Sequence, residues 1–556
     1  MFKKIRLFTT IPIIAVLIAF LMLTGFKSSS FNLRNHFEVV KNLELFATII
    51  KELNSFYVDK LDPQKLINTG IDSMLGSLDP YTNFISEADM GSYKMQTTGK
   101  YGGIGALIRQ SGDYVIIAEP YEGFPANKAG LMAGDKIIEI AGKSAKGMTT
   151  DDVSKQLKGK PNTSINIKVE RMGQGAALSK VLKREEIKLQ SVPFADMLNP
   201  QVGYIRLTSF TEKCSREVAK ALQTLKKDKN AKAIILDLRG NPGGLLSEAV
   251  DVANVFVKQG QEIVSTKGKK IKDKKYKTSK EPVDTEIPLV VLIDRGAASA
   301  SEIVSGVVQD LDRGVVIGKR SFGKGLVQTT KNVGYNSKIK LTTAKYYLPS
   351  GRCIQAIDYS GGYSSKLEKI PDSLRTVFRT TSGRKVYDAG GIDPDIDIEK
   401  KKYGNITGSL MNKQLIFDYA TQYRSRHQSI PTPDKFELSS QDFSQFKQFL
   451  ANKEYDYTTQ SEALIKKLRK NAEDEKYLAA IESDIKQLEQ QIKHDKESDL
   501  EKFKPEIDNL LEQEIVSRYF YQKGRIEEML EEDEAIKEAL NLFSDINNKY
   551  KKQLRP

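Results

Sequence analysis

Residues 233–244 read Ala-Ile-Ile-Leu-Asp-Leu-Arg-Gly-Asn-Pro-Gly-Gly. The continuous apolar run at the start is typical of a parallel strand that is buried on both faces. A glycine-rich turn follows, and the next segment is a predicted helix with Leu245, Val252 and Phe256 on one face. A buried strand, a sharp turn and an amphipathic helix in this order predict an α/β fold with a parallel sheet.

The same order of elements recurs on both sides of this stretch. Residues 202–207, 289–293 and 314–317 predict further strands, and residues 215–226 predict a helix. Loops at the carboxyl ends of parallel strands lie together, and such sheets bind ligands at that edge. We therefore expect the turns that follow these strands to form a site.

Ser299 follows one of these strands and begins the next predicted helix. It fits the N-cap of that helix, and Glu302 completes the pattern of a capping box. The same position also suits a nucleophile, because a hydroxyl at a helix N-terminus lies beside free backbone N–H donors. From this residue alone, both interpretations remain open.

A serine nucleophile needs a base to take its proton. The three histidines, His36, His427 and His494, are all far from Ser299 in sequence. Lys324 lies 25 residues after Ser299 in a Gly-Lys-Gly turn. Burial lowers the pKa of a lysine and makes its neutral amine available as a base, whereas a turn lysine is otherwise an ordinary surface residue.

The double glycine at the end of the opening stretch is a candidate oxyanion site. The amides of Gly243 and Gly244 are unshielded by side chains, and the amide of Ala300 follows the candidate nucleophile. Together these N–H groups are plausible donors to a developing negative charge. A plain connection between a strand and a helix is the alternative.

A β-rich module over residues 97–185 resembles a PDZ domain. It contains a glycine loop at 101–105, a Pro-Ala-x-x-Ala-Gly-Leu-x-x-Gly-Asp stretch at 125–135 and a predicted helix at 150–157. A structural β-sandwich is the alternative. The resemblance implies that loop amides receive a terminal carboxylate while the peptide adds as a strand. The residues implied in peptide binding are Tyr101, Gly102, Gly103, Ile104, Gly105, Leu107 and Val153.

The composition predicts neither a nucleic acid partner nor a cofactor. The net charge is +14 over 556 residues, but no zinc-finger or RNA-binding signature accompanies it. Residues 267–280 hold eight lysines against Asp273, a run typical of a solvated loop or hairpin tip.

Cys214 and Cys353 are too few for a disulfide framework. The histidines are scattered and no carboxylate cluster has metal-ligand spacing, so no metal or organic cofactor is implied.

The two ends of the chain differ from its centre. Basic residues precede an apolar stretch from Leu7 to Phe26, which predicts either a cleaved export signal or an uncleaved membrane anchor and places the body outside the cytoplasm, in the cell envelope. Residues 34–56 predict a packed amphipathic helix. Long charged helices are predicted at 461–496 and 505–552, as an oligomerisation arm or a partly solvated spacer.

Several motifs together resemble the C-terminal processing peptidases, also called tail-specific proteases. These are Leu-Asp-Pro-Tyr-Thr (78–82), Asp-Leu-Arg-Gly-Asn-Pro-Gly-Gly (237–244), Ala-Ser-Ala-Ser-Glu-Ile (298–303), Ser-Phe-Gly-Lys-Gly-Leu-Val-Gln (321–328) and Tyr-Leu-Pro-Ser-Gly-Arg (347–352). The resemblance, over about 35–400, implies Ser299 as nucleophile, Lys324 as base and Gln328 as an amide that orients the lysine. It also implies oxyanion donors at Gly243 or Gly244 and at Ala300, with Asp310 in a supporting role. Ser301 and Ser305 are the competing serines.

We therefore expect a multidomain α/β serine peptidase that captures protein C-terminal tails and cleaves exported proteins. Expected partners are protein substrates with free apolar C-termini and a regulator or adaptor. The competing hypothesis is a non-catalytic PDZ scaffold that holds peptides in the cell envelope. The expected parts are a signal or anchor (1–30), an N-terminal helical region (31–96), a PDZ domain (97–185), an α/β peptidase core (186–401) and a helical C-terminal extension (402–556), through which a homo-oligomer would form.

Overall fold

A computed structural model describes residues 33–270, 272–359, 370–399 and 402–556, without the side chains of 33–36 and 494–497. The chain divides into two units, Met1–Leu78 and Asp79–Pro556. The predicted signal or anchor lies outside the described residues. Among the helices that are described, none combines the length and apolar character needed to cross a membrane.

The described part of the first unit contains two helices, α1 (Leu33–Phe56) and α2 (Pro63–Gly76). The Asp62 carboxylate caps α2 by accepting a hydrogen bond from Lys65 N at 3.1 Å. The prediction of a helix over α1 is confirmed, but the prediction that its apolar face is packed is wrong. Leu43 and Ile49 are more than half exposed, because helical spacing sets which residues share a face and not what covers that face.

The second unit begins with β1 and α3 and continues into the predicted PDZ module. Its strands form an antiparallel sheet in the order β3-β4-β5-β7-β8, with β6 beside β5 and β2 paired to β9. Val115, Ile137 and Val169 are fully buried between this sheet and α5. The elements are β1 (Asn83–Ile85), α3 (Met90–Thr98), β2 (Lys100–Gly103), β3 (Ala106–Ser111), β4 (Tyr114–Pro120), α4 (Pro125–Lys128), β5 (Lys136–Ile140), β6 (Lys143–Ser144), α5 (Thr150–Leu157), β7 (Ser164–Glu170), β8 (Leu178–Lys183) and β9 (Glu185–Lys188).

The α/β part follows, and its elements match the predicted alternation of strands and helices. They are β10 (Phe194–Met197), β11 (Val202–Arg206), α6 (Cys214–Lys227), β12 (Ala233–Asp237), α7 (Leu246–Phe256), β13 (Glu262–Lys267), β14 (Lys274–Lys277), β15 (Leu289–Ile293), α8 (Ala300–Asp310), β16 (Val315–Gly318), β17 (Leu326–Gly334), β18 (Ser337–Tyr347), β19 (Val377–Arg379), β20 (Lys385–Tyr387) and β21 (Ile396–Asp397). The lysine-rich run 267–280 begins at the last residue of β13 and contains β14, which pairs with β13 as an antiparallel hairpin, so the predicted hairpin tip is confirmed.

The central sheet has the order β10-β11-β12-β15-β16-β21, and β11 through β21 are parallel. The side chains of β12 alternate between two hydrophobic clusters. Ile234 and Leu236 pack with helices α6, α7 and α8, whereas Ile235 faces the opposite side. A second sheet, β1-β18-β13-β14 with β17 beside β18, carries the Lys324 turn at the start of β17.

The C-terminal segment is helical, with breaks that the sequence did not indicate. The predicted helix 461–496 is interrupted near 475–477, and the predicted helix 505–552 is interrupted at Glu532 and Asp533. The breaks contain Glu-Lys-Tyr and Glu-Asp, without glycine or proline, so composition gave no signal for them. The helices are α9 (Asn405–Asn412), α10 (Leu415–Arg426), α11 (Ser440–Leu450), α12 (Gln460–Asp474), α13 (Leu478–Lys502), α14 (Lys504–Glu531), α15 (Glu534–Phe543) and α16 (Lys551–Gln553).

Helix α15 and the turn after it cover the second face of the central sheet. Ile536 and Leu542 pack in one hydrophobic cluster with Ile235, and Tyr550 belongs to the same cluster. The Tyr550 hydroxyl accepts a hydrogen bond from Leu289 N at 3.0 Å. A spacer would be solvated, so that interpretation is wrong for this part of the chain. The homo-oligomer stays a prediction.

Candidate active site

Ser299 lies at the turn between β15 and α8 in a strained backbone conformation. Its φ is 55° and its ψ is −110°, a region that residues with a Cβ adopt only when their surroundings impose it. The residue is partly exposed, whereas Ala298 and Ala300 on either side are buried. The turn therefore presents the Ser299 side chain at the carboxyl edge of the central sheet.

The Glu302 carboxylate joins the Ser299 turn to the Lys324 turn. It is fully buried and accepts hydrogen bonds from Ser299 N at 2.7 Å, Lys324 N at 2.9 Å and Gly323 N at 2.7 Å. It also accepts one from the Ser321 hydroxyl at 2.5 Å. Burial raises the pKa of Glu302, and these hydrogen bonds oppose that rise. One carboxylate thus fixes the backbone of both predicted catalytic residues.

A glycine and a tyrosine fix the Lys324 turn. A Cβ at Gly323 would lie 2.4 Å from the Ala356 Cβ, and Gly323 has a φ of 89°, so another residue would be strained there. The buried Tyr346 hydroxyl donates to Lys324 O at 2.8 Å and lies 3.3 Å from Ser299 O. Tyr346 is therefore a second link between the two turns.

The Lys324 ammonium group is partly buried beside an aromatic ring, with Lys340, Glu302 and Asp79 as nearby charges. Its Nζ is 4.3 Å from the centre of the Tyr81 ring, and no hydrogen-bond or ion-pair partner for it is found within the described residues. Burial, together with the nearby positive charge of Lys340, lowers the pKa of Lys324 to about 8. No hydrogen bond joins Lys324 Nζ to Ser299 Oγ in this structure, and such bonds are often loose when substrate is absent.

Residues 239–244, which we call the oxyanion loop, pack against the Ser299 turn. Asn241 O accepts hydrogen bonds from Ala298 N at 3.0 Å and from the Ser301 hydroxyl at 2.9 Å. A Cβ at Gly243 would lie 2.6 Å from Ala298 O and 2.9 Å from the Ser299 Cβ. Only glycine allows this close approach of the two backbones.

The structure separates the three predicted oxyanion donors. Gly243 N donates to Asn241 Oδ1 at 2.9 Å, so this amide is already used. The amides of Gly244 and Ala300 are without an acceptor in the described residues, whereas the Gly243 amide is bonded within its own loop. The oxyanion roles of all three residues stay predictions.

The remaining predicted residues have defined partners. The competing serines are fully buried, since the Ser301 hydroxyl donates to Asn241 O and the Ser305 hydroxyl to Ser301 O at 2.9 Å. Gln328 donates its side-chain amide to Thr342 Oγ1 at 3.2 Å, and no hydrogen bond joins it to Lys324. Its orienting role stays a prediction.

Asp310 lies at the buried end of α8. It accepts a hydrogen bond from Ser350 N at 3.0 Å and forms an ion pair with Arg352 at 2.8 Å. It therefore contacts the Tyr-Leu-Pro-Ser-Gly-Arg segment and not the Ser299 turn.

The predicted peptide-binding residues of the PDZ module lie on β2, β3 and α5. Tyr101, Gly102 and Gly103 belong to β2. Ile104 and Gly105 follow it, and neither N–H group donates to a backbone carbonyl in the described chain. Leu107 on β3 is half exposed. Ile104 and Val153, by contrast, are buried in the hydrophobic core of the module, so neither lines an open pocket here.

A cavity of about 660 Å³ borders the Lys324 turn. Its wall includes the apolar side chains of Tyr81, Phe322, Ile357 and Ile370, and it includes Gly323 of the turn itself. A cavity of this size and lining suits a segment of polypeptide with apolar side chains.

Sequence reasoning missed the second role of Glu302 and the contributions of Tyr81 and Tyr346. The capping-box pattern identified Glu302 through its local partner Ser299, but its bonds to Gly323 and Lys324 span more than 20 positions. Tyr81 lies in the Leu-Asp-Pro-Tyr-Thr motif and Tyr346 directly precedes the Tyr-Leu-Pro-Ser-Gly-Arg motif, but neither motif indicated a role for these tyrosines.

Most of the chain is similar to known protein families and proteins. Residues 201–361 match the model of peptidase family S41, residues 116–171 match the PDZ domain, and residues 406–543 match a C-terminal helical domain of a probable PDZ-protease. The carboxy-terminal-processing protease of Bartonella bacilliformis is 38% identical over 59% of this chain and 76% of its own length. The carboxy-terminal processing protease of Bacillus subtilis is 33% identical over 63% and 74%. Among solved structures, the photosystem II D1 C-terminal processing protease is 26% identical over 64% of this chain and 87% of that one, with a TM-score of 0.36.

We expect Glu302→Gln to impair both stability and function. In the variant, the glutamine NH2 group replaces one of the carboxylate oxygens that accept hydrogen bonds in the wild type, so some donors lose their acceptor. The free energy of unfolding should therefore fall by about 2–4 kcal/mol. Misplacement of the two turns should lower activity per folded molecule by about 100-fold. Denaturant unfolding and titration of active sites measure the two effects.

Glu217→Gln is the matched control, because Glu217 accepts hydrogen bonds from two backbone amides, Ser191 N and Val192 N, in the same unit. It should lose stability without losing activity per folded molecule. Equal activity losses in both variants would contradict a specific role for Glu302.

Proposed function

Because this chain belongs to the C-terminal processing peptidases, which are serine hydrolases, we propose that Ser299 is its nucleophile and Lys324 its general base. The observation that carries this assignment is the Glu302 carboxylate, which accepts hydrogen bonds from the backbone amides of both residues. The two competing serines are buried with their hydroxyl groups bonded. The non-catalytic scaffold hypothesis is not supported.

The reaction begins with the neutral amine of Lys324. It takes the proton from Ser299 Oγ, and the oxygen attacks the carbonyl carbon of the scissile peptide bond. The ammonium then gives its proton to the departing amine, which leaves an ester on Ser299. A water molecule attacks that ester while Lys324 again accepts a proton, and the acid product leaves with Ser299 restored.

Gly244 N and Ala300 N stabilise the tetrahedral intermediates. Both amides are without an acceptor in the described residues, and both belong to rigid backbone beside Ser299. Such preorganised donors stabilise an oxyanion more than they stabilise the ground-state carbonyl, so they lower the barrier for acylation and for hydrolysis of the ester.

The substrates are proteins with free, apolar C-terminal tails. The free N–H groups of Ile104 and Gly105 suit a terminal carboxylate, and exposed Leu107 suits an apolar side chain. Binding the tail raises the local concentration of the chain at Ser299. The basic and apolar segment before residue 27 supports a location outside the cytoplasm, where exported proteins are the substrates.

Ser299→Ala and Lys324→Met should each abolish cleavage of a fluorescein-labelled unfolded casein without changing the unfolding midpoint. Ser305→Ala is the control, since its hydroxyl bonds only within α8. Replacement of His36, His427 and His494 by Gln should leave most activity. A triple-histidine variant that is folded but inactive would contradict the Ser–Lys assignment.

Activity should rise with pH through a midpoint near 8, because only the neutral amine of Lys324 accepts a proton and its pKa is lowered to about 8. Lys340→Gln removes a positive charge that lowers this pKa. The midpoint of the pH–rate profile should therefore move to a higher pH.

Lys338→Gln is the control for this experiment, since the Lys338 ammonium donates to Asn332 on the hairpin and should leave the midpoint in place. A flat profile between pH 6 and 10, or no displacement in Lys340→Gln, would contradict the lysine base.

A substrate with a free apolar C-terminus should be cleaved about tenfold faster or more than its amidated twin at low concentration. Leu107→Asp should remove this preference. Val181→Asp, which changes another exposed apolar residue of the PDZ module, should keep it. Equal rates for free and amidated tails in the wild-type protein would refute tail recognition and leave the Ser–Lys chemistry standing.

A further inference from the structure

Residues 521–533 of the C-terminal segment, which we call the linking segment, contact two distant functional loops. At one end the segment touches the PDZ module beside residues 101–105, which we call the tail loop. At the other end it touches the oxyanion loop. Neither contact belongs to the reaction or to tail binding as described above.

Asp533 makes the contact with the oxyanion loop. Its Oδ2 accepts a hydrogen bond from Arg239 Nη1 at 2.6 Å, while its Oδ1 caps α15 by accepting from Ala535 N and Ile536 N. Arg239 and Asp533 are each about one-fifth exposed or less. An ion pair that is mostly withdrawn from water is screened little, so its geometry is well defined.

Arg239 is the first residue of the oxyanion loop and is fixed by a buried network. Asp237 is fully buried, and the Arg239 guanidinium donates to both of its oxygens. Burial opposes the charge on Asp237, but the positive charges of Arg239 and Arg206 outweigh this and hold its pKa well below the ordinary value. Arg206 also donates to Arg239 O at 2.7 Å. Asp533 therefore helps to fix the oxyanion loop where it follows β12.

Tyr521 makes the contact with the PDZ module. The Asn127 side-chain amide donates to the Tyr521 hydroxyl at 2.8 Å. Asn127 lies on α4, and the preceding residue, Ala126, donates its N–H to Ile104 O of the tail loop at 2.7 Å. The tail loop is thus connected to α14 in three steps. These are the hydrogen bond from Ala126 N to Ile104 O, the peptide unit between Ala126 and Asn127, and the hydrogen bond from Asn127 to Tyr521.

A second contact lies nearby. Arg525 forms an ion pair at 3.3 Å with Glu119, which is buried at the end of β4. Burial raises the pKa of Glu119, and the positive charge of Arg525 opposes this rise. The joint between α14 and the PDZ module is therefore polar and specific.

The helix is strained where it meets the PDZ module. Tyr521 has a φ of 53° and a ψ of −154° inside the long helix α14, without a proline at the break. A cavity of about 220 Å³, lined in part by Tyr521, Asn127 and Glu119, lies at the same joint. A strained residue persists only where its surroundings impose the conformation, and such residues cluster at functional sites and switch regions.

We propose that the linking segment is a positioning element of the peptidase, in which Asp533 positions the oxyanion loop through Arg239 and Tyr521 ties that position to the tail loop. The inference rests on the proposed function. A tail that displaces the tail loop moves α4 and Asn127, and the strained helix transmits the change over the twelve positions to Asp533. Occupied PDZ modules then present better-aligned oxyanion donors.

The first test uses the full-length protein and the rate at which a fluorophosphonate labels Ser299. This probe has no C-terminal tail of its own, so its labelling rate in the absence of peptide reports on the oxyanion donors. Asp533→Asn keeps an N-cap side chain but removes the charge opposite Arg239. Its labelling rate should fall about 5- to 20-fold, less than the loss from removing an oxyanion donor outright. On labelled casein, kcat should fall while KM stays within twofold.

Two further variants separate positioning from stability. Asp533→Glu should restore labelling to within about threefold of wild type, because the carboxylate can still reach Arg239. Asp545→Asn changes a similar capping aspartate, bonded to Asn548 N and remote from Arg239. It should label at the wild-type rate.

The second test adds a ten-residue peptide that ends in a free valine carboxylate, with its amidated twin as control. The free peptide should raise the wild-type labelling rate severalfold, and the twin should not. Tyr521→Phe should bind the peptide with unchanged affinity and lose the rise. Tyr519→Phe should keep it, since that hydroxyl donates to His427 O within the C-terminal segment.

The outcomes distinguish this inference from the proposed function. If the peptide does not bind, or wild-type Ser299 is not labelled, the proposed function fails and the inference fails with it. If labelling and peptide binding are both normal but Asp533→Asn and Tyr521→Phe behave as wild type, the positioning role alone is overturned.

Discussion

The buried Glu302 carboxylate is the constraint on which the geometry of the site depends. A charge with no access to water must be satisfied by donors, and here the donors are backbone and hydroxyl groups of the Ser299 and Lys324 turns. Any displacement of one turn leaves a donor or the charge unpaired. The cost of that displacement is what allows Ser299 to remain at a φ of 55°. Strain at the nucleophile and satisfaction of the carboxylate are therefore two aspects of one arrangement.

Most of the fold could be predicted because its signals are local. The apolar run of β12, the glycine turn after it and the helix pattern of α7 lie within 25 residues of one another. Ser299 and Lys324 were identified by motif and by the lack of a nearby histidine. The Asn241 side chain that occupies Gly243 N, and the Thr342 hydroxyl that engages Gln328, depend on side-chain directions that spacing does not encode. Exposure of the apolar face of α1 likewise depends on what packs there.

The C-terminal segment shows why a sparse apolar pattern is hard to interpret. Its helices are mostly charged because one segment has to contact several surfaces, and each surface needs only a few apolar residues. Ile536 and Leu542 pack with the central sheet, while Phe417 is stacked between the guanidinium groups of Arg109 from the PDZ module and Arg518 from α14. The segment thus contacts both the PDZ module and the peptidase sheet, and it contributes apolar side chains to each contact.

The position of α15 on the central sheet has a consequence for folding during synthesis of the chain. Strand β12 leaves the ribosome some 300 residues before the side chains that cover its second face. Until α15 and Tyr550 are synthesised, Ile235 lacks these partners on that face of the sheet. The central sheet therefore gains the cover of its second face only after the residues of the Ser299 and Lys324 turns have already been synthesised.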